Sequence, residues 1–176
     1  EIEQTSTRIS ELVRDVKAYT YMDQGQEQDV DINQGLETTL SVFNHKLKNM
    51  QVSREYAPKL PKLLARGGEL NQVWTNLIDN AIDATEGKGA LRLITRCEQD
   101  FIMVEIADNG PGISPDVLPR IFEPFFTTKG VGVGTGLGLD ISYRIVQQHG
   151  GSIEVQSQPG NTRFIVRLPV QATSVA

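Results

Sequence analysis

Glycine falls at every second position from Gly130 to Gly138 in the stretch KGVGVGTGLGL, Lys129 to Leu139. Neither regular element favours that spacing. A glycine in a strand packs nothing, and one in a helix interior costs about 1 kcal/mol against alanine. A loop that takes positive φ and lies close against something tolerates it. Leu137, Leu139, Ile141, Ile145 and Val146 follow as an amphipathic run, so the loop opens a helix. Free backbone N–H groups at a helix start, with no Cβ in the way, suit a polyphosphate. Taken alone, the run serves equally well as a flexible linker. It lacks the Gly-Lys-Ser/Thr ending of the Walker loop. No acidic residue follows at a strand end about 20 positions on, as the dinucleotide fingerprint requires. Phosphates held here would be held in a different fold.

Two further groups have chemistry in their spacing. Asn76 and Asn80 lie about one turn apart on an otherwise apolar helix, so they project from the same side. Asparagine is a mediocre helix former, and two at this spacing suggest polar work. Asp108-Asn109-Gly110-Pro111-Gly112 follows a strand. It reads as a Gly-Pro turn with an Asx motif, or as a buried carboxylate beside bare backbone. In the second case it accepts a hydrogen bond from an exocyclic amine while a flat ring lies on the glycines. Phe122, Phe125 and Phe126 hold half of the six phenylalanines and are expected to plug a loop.

Periodicity places the elements that must carry these groups. Residues 1–22 read as a helix, with Ile2, Ile9 and Val16 seven apart and Thr5, Leu12 and Tyr19 between them. Short strands are expected at Gln28–Ile32, Met50–Tyr56 and Lys62–Ala65. Asn33 is expected to cap a helix over Gly35–Asn44. A long helix covers Glu69–Thr85, and Ala90–Cys97 with Phe101–Ala107 form a hairpin. A short helix is expected at Pro115–Ile121. After the glycine-opened helix, which ends at His149, strands follow at Ser152–Ser157 and Thr162–Pro169, then a frayed tail.

The 176 residues suit one domain plus a short extension. The net charge of −5 argues against nucleic acid as a partner. Cys97 is the single cysteine, which excludes a disulfide framework; it is expected in a strand as a small hydrophobe. No run is long and apolar enough to span a membrane. The chain opens in mid-pattern on Glu1-Ile2-Glu3 without a methionine, so it is expected to be part of something longer.

In order and spacing, Asn76-x3-Asn80, Asp108-Asn-Gly-Pro-Gly, Phe122 to Phe126 and Gly134-Thr-Gly-Leu-Gly-Leu139 resemble the asparagine box, first glycine box, phenylalanine box and second glycine box of sensor histidine kinases. Those kinases belong to the gyrase, chaperone and MutL-type ATPase superfamily, with the Bergerat fold. The resemblance covers about residues 28–170. It implies an α+β fold: a two-layer α/β sandwich with a mixed, mostly antiparallel sheet on three helices, here with an N-terminal heptad helix. Residues 1–24 resemble the second helix of a dimerisation and phosphoacceptor hairpin, and 25–176 the catalytic ATP-binding domain.

By the same resemblance Asn80 is the Mg²⁺ ligand and Asp108 the acceptor for the adenine amine. Gly110 and Gly112 let the purine approach. Gly134, Gly136 and Gly138 cradle the triphosphate, with Lys129 near the γ-phosphate. Ile113, Phe122, Thr128, Thr135 and Leu137 complete the nucleotide contacts, Thr162 assists Asp108 by hydrogen bonding, and His149 is structural. Ile113–Thr135 is the lid. Hydrolytic relatives have a glutamate where this chain has Asn76, which cannot act as a base. The resemblance therefore implies transfer of the γ-phosphoryl group to a histidine on an adjoining hairpin, with Asn76 and Lys129 at the chemistry and hydrolysis slow. It implies a homodimer through the N-terminal helix, a response regulator receiver domain as partner, and a cytoplasmic site in a protein that is membrane-anchored in some members. Only His45 and His149 exist here, and neither has the setting of an acceptor. An ATP-gated interaction module without phosphotransfer and an anti-sigma-type serine kinase remain as other readings.

Overall fold

Apolar strand runs build one five-stranded sheet, and three amphipathic helices cover one of its faces. The computed structural model describes residues 25–130 and 133–170, with Ser10, Val13 and Lys17 ahead of them. Apart from those three positions, the heptad helix expected over 1–22 lies outside the described residues, as does the tail beyond Val170. The elements run β1 (Gln28–Val30), α1 (Ile32–Val42), β2 (Gln51–Tyr56), β3 (Leu63–Ala65), α2 (Gly67–Ala84), β4 (Ala90–Glu98), β5 (Phe101–Asp108), a 3-10 turn (Leu118–Arg120), α3 (Gly138–Gln148), β6 (Ser152–Gln158) and β7 (Asn161–Pro169). Sheet order is β2-β4-β5-β7-β6. β2 is parallel to β4, and the other neighbours are antiparallel. β1 and β3 form a separate antiparallel pair. This is the α+β sandwich that the family resemblance implies.

Helix α2 is the middle helix and packs against both α1 and α3. Its buried stripe of Leu70, Val73, Trp74, Leu77, Ile78, Ala81 and Ile82 is the apolar face read from the periodicity. Across from it stand Leu91, Leu93, Ile102, Val104, Ile106, Phe164 and Val166 of the sheet. Fully burying one such side chain is worth about 1.5–3 kcal/mol, so this layer fixes where α2 presents its polar side. The outward sheet face is finished differently. Glu105 is 6% exposed there, between Arg92 at 3.3 Å and Arg163 at 3.5 Å. The neighbouring Ile94 and Ile165 are buried beside these long arginine stems.

Three local expectations are corrected. Asp31, not Asn33, caps α1: its Oδ1 accepts from the Gln34 N–H at 3.0 Å. Asn33 sits inside the helix, where its amide donates to the Ala57 carbonyl and accepts from the Thr95 hydroxyl. The helix expected at Pro115–Ile121 shrinks to the single 3-10 turn. Cys97 is exposed. It shares a strand face with buried Leu91, Leu93 and Thr95, but the pairing of β2 with β4 ends at Thr95, so among the described residues Cys97 has no paired strand on that side.

Candidate functional site

A cavity of about 730 Å³ opens between α2, the end of β5, the start of α3 and the segment that links them. Its size lies in the range of small-molecule sites.

At one end is Asp108, the last residue of β5. It is 7% exposed, and its Oδ1 accepts from the Gly110 N–H at 2.8 Å. Burial pushes its carboxyl above the usual carboxylate range, and the Gly110 hydrogen bond opposes that shift. The Asp-Asn-Gly-Pro-Gly loop is held from behind by the β6–β7 turn. The Gly160 N–H donates to the Gly110 carbonyl at 2.8 Å, and the Ile113 N–H donates to Ser157 Oγ at 2.8 Å. Gly112 has φ +86°, and a Cβ there would lie 2.8 Å from the Gln158 backbone, so no larger residue fits. Thr162 pairs with Asp108 in the sheet register. Its hydroxyl does not serve Asp108 as expected; it lies 2.7 Å from Ser157 Oγ.

At the other end α3 begins at Gly138, and Leu137 at its N-cap position lends no side chain to the first-turn N–H groups. Such a start favours an anion. Gly136 has φ +69°, and a Cβ there would sit 2.4 Å from the Phe125 backbone carbon. The glycine run is thus pressed against the phenylalanine segment, and Phe125 itself is left at φ +63°.

Asn80 lines the cavity, with no side-chain hydrogen bond to another described residue. Asn76 also lines it but is 8% exposed and fully engaged. Its Nδ2 donates to the Gly138 carbonyl at 2.8 Å and to Ser142 Oγ at 3.1 Å, and its Oδ1 accepts from Gln72 at 2.9 Å. Asn76 therefore fastens α2 to the start of α3.

The structure brings Asp108, Gly112, Ile113, Thr162, Asn76, Asn80, Thr128, Lys129, Gly134, Thr135, Gly136 and Gly138 onto the wall of this one cavity. Gly110, Phe122 and Leu137 are not on the wall. Gly110 is wedged between Asp108 and the Ala84 carbonyl. The Phe122 ring lies 5.6 Å from that of Tyr143, and Leu137 is buried in the core. Nor do the phenylalanines form one plug: Phe125 is 74% exposed, and Phe126 lines the cavity under the Arg120 guanidinium. Sequence reasoning missed Lys46, Asp79 and Asp83 on the wall and Ser157 behind it. Asp79 and Asp83 each stand three residues after a flagged asparagine, so helical spacing would have found them. Nothing local marks Lys46 or Ser157.

Residues 66–172 match the family described as histidine kinase-, DNA gyrase B- and HSP90-like ATPases, and the chain belongs to that family. It is 38% identical over 135 residues to the sensory histidine kinase/phosphatase NtrB of Rhodobacter capsulatus, covering 69% of this chain and 38% of that one. Among solved structures it is similar to the nucleotide-free catalytic domain of histidine kinase ThkA, with TM-score 0.76, 29% identity and coverage of 82% and 96% of the two chains. ThkA in complex with response regulator protein TrrA gives TM-score 0.78 at 25% identity, covering 94% of this chain and 49% of that one. Full-length ShkA in complex with AMPPNP gives TM-score 0.80 at 29% identity, covering 94% and 36%. The chain spans from 16% to 38% of the length of the curated relatives it matches.

Proposed function

We propose that this chain binds ATP with Mg²⁺ and transfers the γ-phosphoryl group to a histidine on a helical hairpin of the same protein, as the catalytic part of a sensor histidine kinase. The observation that carries the reading is one cavity with a buried carboxylate at one end and a glycine-opened, uncapped helix start at the other. Asp108 takes the adenine amine, with Gly112 and Ile113 beside the ring. Asn80, an oxygen donor, holds the metal together with phosphate oxygens and water. Mg²⁺ supplies charge neutralisation to the phosphates. Gly134, Gly136 and the N–H groups at Gly138 hold the triphosphate, and Lys129 adds a cation. The bond from the γ-phosphorus to the bridging oxygen breaks as a bond to the histidine nitrogen forms, leaving ADP. The support for transfer over hydrolysis is Asn76: no base stands at that position, and its amide is committed to α3.

Residues 1–24 are assigned to the second hairpin helix, through which the full-length protein dimerises, and 25–176 to the catalytic domain. A receiver domain then takes the phosphoryl group. No helix among the described residues is long and apolar enough to cross a membrane. A site that consumes ATP belongs on the cytoplasmic side of any anchor the full-length protein carries.

The test pairs calorimetry with labelling. Wild type is expected to bind Mg²⁺-ATP and to label a supplied histidine-bearing hairpin, while Asn80→Ala weakens binding and abolishes labelling. Equal Mg²⁺-ATP affinity in the variant would remove Asn80 from the metal, and vigorous phosphate release by wild type would overturn the transferase reading.

A further inference from the structure

We propose that Asp83 holds Lys129 in a latch on the wall of the cavity, and that a bound triphosphate draws Lys129 away from it. This rests on the nucleotide-binding reading above. Asp83 stands in the last turn of α2, and Lys129 belongs to the segment between the phenylalanines and the glycine run. Both line the cavity, and an ion pair joins them across 46 positions of sequence. The Lys129 stem also bears on the glycine run: a Cβ on Gly134 would lie 3.1 Å from Lys129 Cδ. One turn earlier on α2, Asp79 receives Lys46 at 2.8 Å.

Charge makes this pair a competitor for the ligand. Two lysines, Lys46 and Lys129, face three aspartates, Asp79, Asp83 and Asp108, on the cavity wall, a formal sum of −1. Both lysines are already paired with aspartates, so a triphosphate meets a wall whose cations are neutralised. A terminal phosphate carries more charge than one carboxylate and attracts Lys129 more strongly. A diphosphate lacks that group and leaves Lys129 with Asp83. Asp83 is thus a positioning residue: it acts through Lys129, making closure of this segment depend on the third phosphate. Lys129 is 33% exposed and Asp83 42%, so solvent screens the pair. Its loss is expected to change affinity by up to about 5-fold.

The experiment measures Mg²⁺-ATP and Mg²⁺-ADP affinity by calorimetry for wild type, Asp83→Asn, Asp83→Glu, Lys129→Ala and the Asp83→Asn/Lys129→Ala double variant. Amide hydrogen exchange over Phe122–Gly130 is followed without nucleotide. Asp83→Asn is expected to tighten ATP about 2- to 5-fold, and ADP less, consistent with loss of a partly exposed ion pair. Exchange in the segment should rise, and Asp83→Glu should restore both. In the Lys129→Ala background the substitution should have no effect. Equal tightening with and without Lys129 would show plain repulsion by the Asp83 charge and overturn the latch. So would unchanged exchange in Asp83→Asn. Wild type that binds neither nucleotide overturns the proposed function instead, while the exchange comparison still decides whether the latch exists.

Discussion

Burial raises the Asp108 carboxyl above its ordinary range, and the Gly110 hydrogen bond opposes that rise. Its folded-state pKa is raised, so between the ordinary value and the raised one the folded chain binds more protons than the unfolded chain. Stability contributed by this group therefore falls as pH rises through that window, and the neutral-pH protein carries the cost of a buried carboxylate. Asp108→Asn keeps an acceptor for the Gly110 N–H and removes the charge. Without nucleotide, the variant should melt higher than wild type at pH 7. The difference should vanish below the ordinary aspartate pKa of about 4. ATP binding should weaken by about 1.5–3 kcal/mol, the worth of a hydrogen bond to a charged group. Thermal unfolding at the two pH values, with calorimetry at pH 7, checks both arms. A variant that binds ATP as tightly as wild type would place the base elsewhere.

The elements meet at two junctions, each with its own prediction. Asn76 joins α2 to α3 through Gly138 and Ser142. Asn76→Ala should destabilise the fold by about 1–3 kcal/mol, the range for buried hydrogen-bonding groups left unpaired, read by denaturant unfolding. Asn76→Glu sets a carboxylate against the Gly138 carbonyl and close to the triphosphate. It should lower both Mg²⁺-ATP affinity and transfer to a supplied hairpin. A folded variant with both unchanged would show that this junction does not touch the site. The second junction is Gly136 against the Phe125 backbone. Gly136→Ala should push the two segments apart and weaken Mg²⁺-ATP binding. Thermal stability should fall as well, because alanine is strained at φ +69° and its Cβ meets backbone. Calorimetry and thermal unfolding separate the two effects.

At the scale of the molecule, the question is whether the chain carries its own acceptor. His149 ends α3 with its Nδ1 2.8 Å from the Ile145 carbonyl and its Nε2 accepting from the Arg66 N–H at 3.2 Å, so it ties α3 to the start of α2. His45 is exposed in the turns after α1. Neither is presented to the cavity, since neither lines it. The chain incubated with γ-labelled ATP should therefore acquire no acid-labile, base-stable label, and the label should appear on an added hairpin. Label on the chain alone would make His45 the first residue to substitute.

Ile113, Thr128, Thr135 and Thr162 follow only from the family resemblance, while the sequence by itself determined the order of strands and helices and singled out Asn76, Asn80, Asp108 and the glycine run. Those features rest on local rules: period-two and helical apolar spacing, glycine where a Cβ cannot fit, and asparagines a turn apart. Such rules act within one element, so they are written in neighbouring residues. The tertiary structure alone decided which side chains meet across elements. It turned Thr162 toward Ser157 instead of Asp108, committed Asn76 to Gly138, and set Lys129 against Asp83. It also left Phe125 exposed and moved the α1 cap to Asp31. Each of these depends on strand register, helix packing or the competition of several polar groups for one partner. Those quantities exist only once distant segments are brought together.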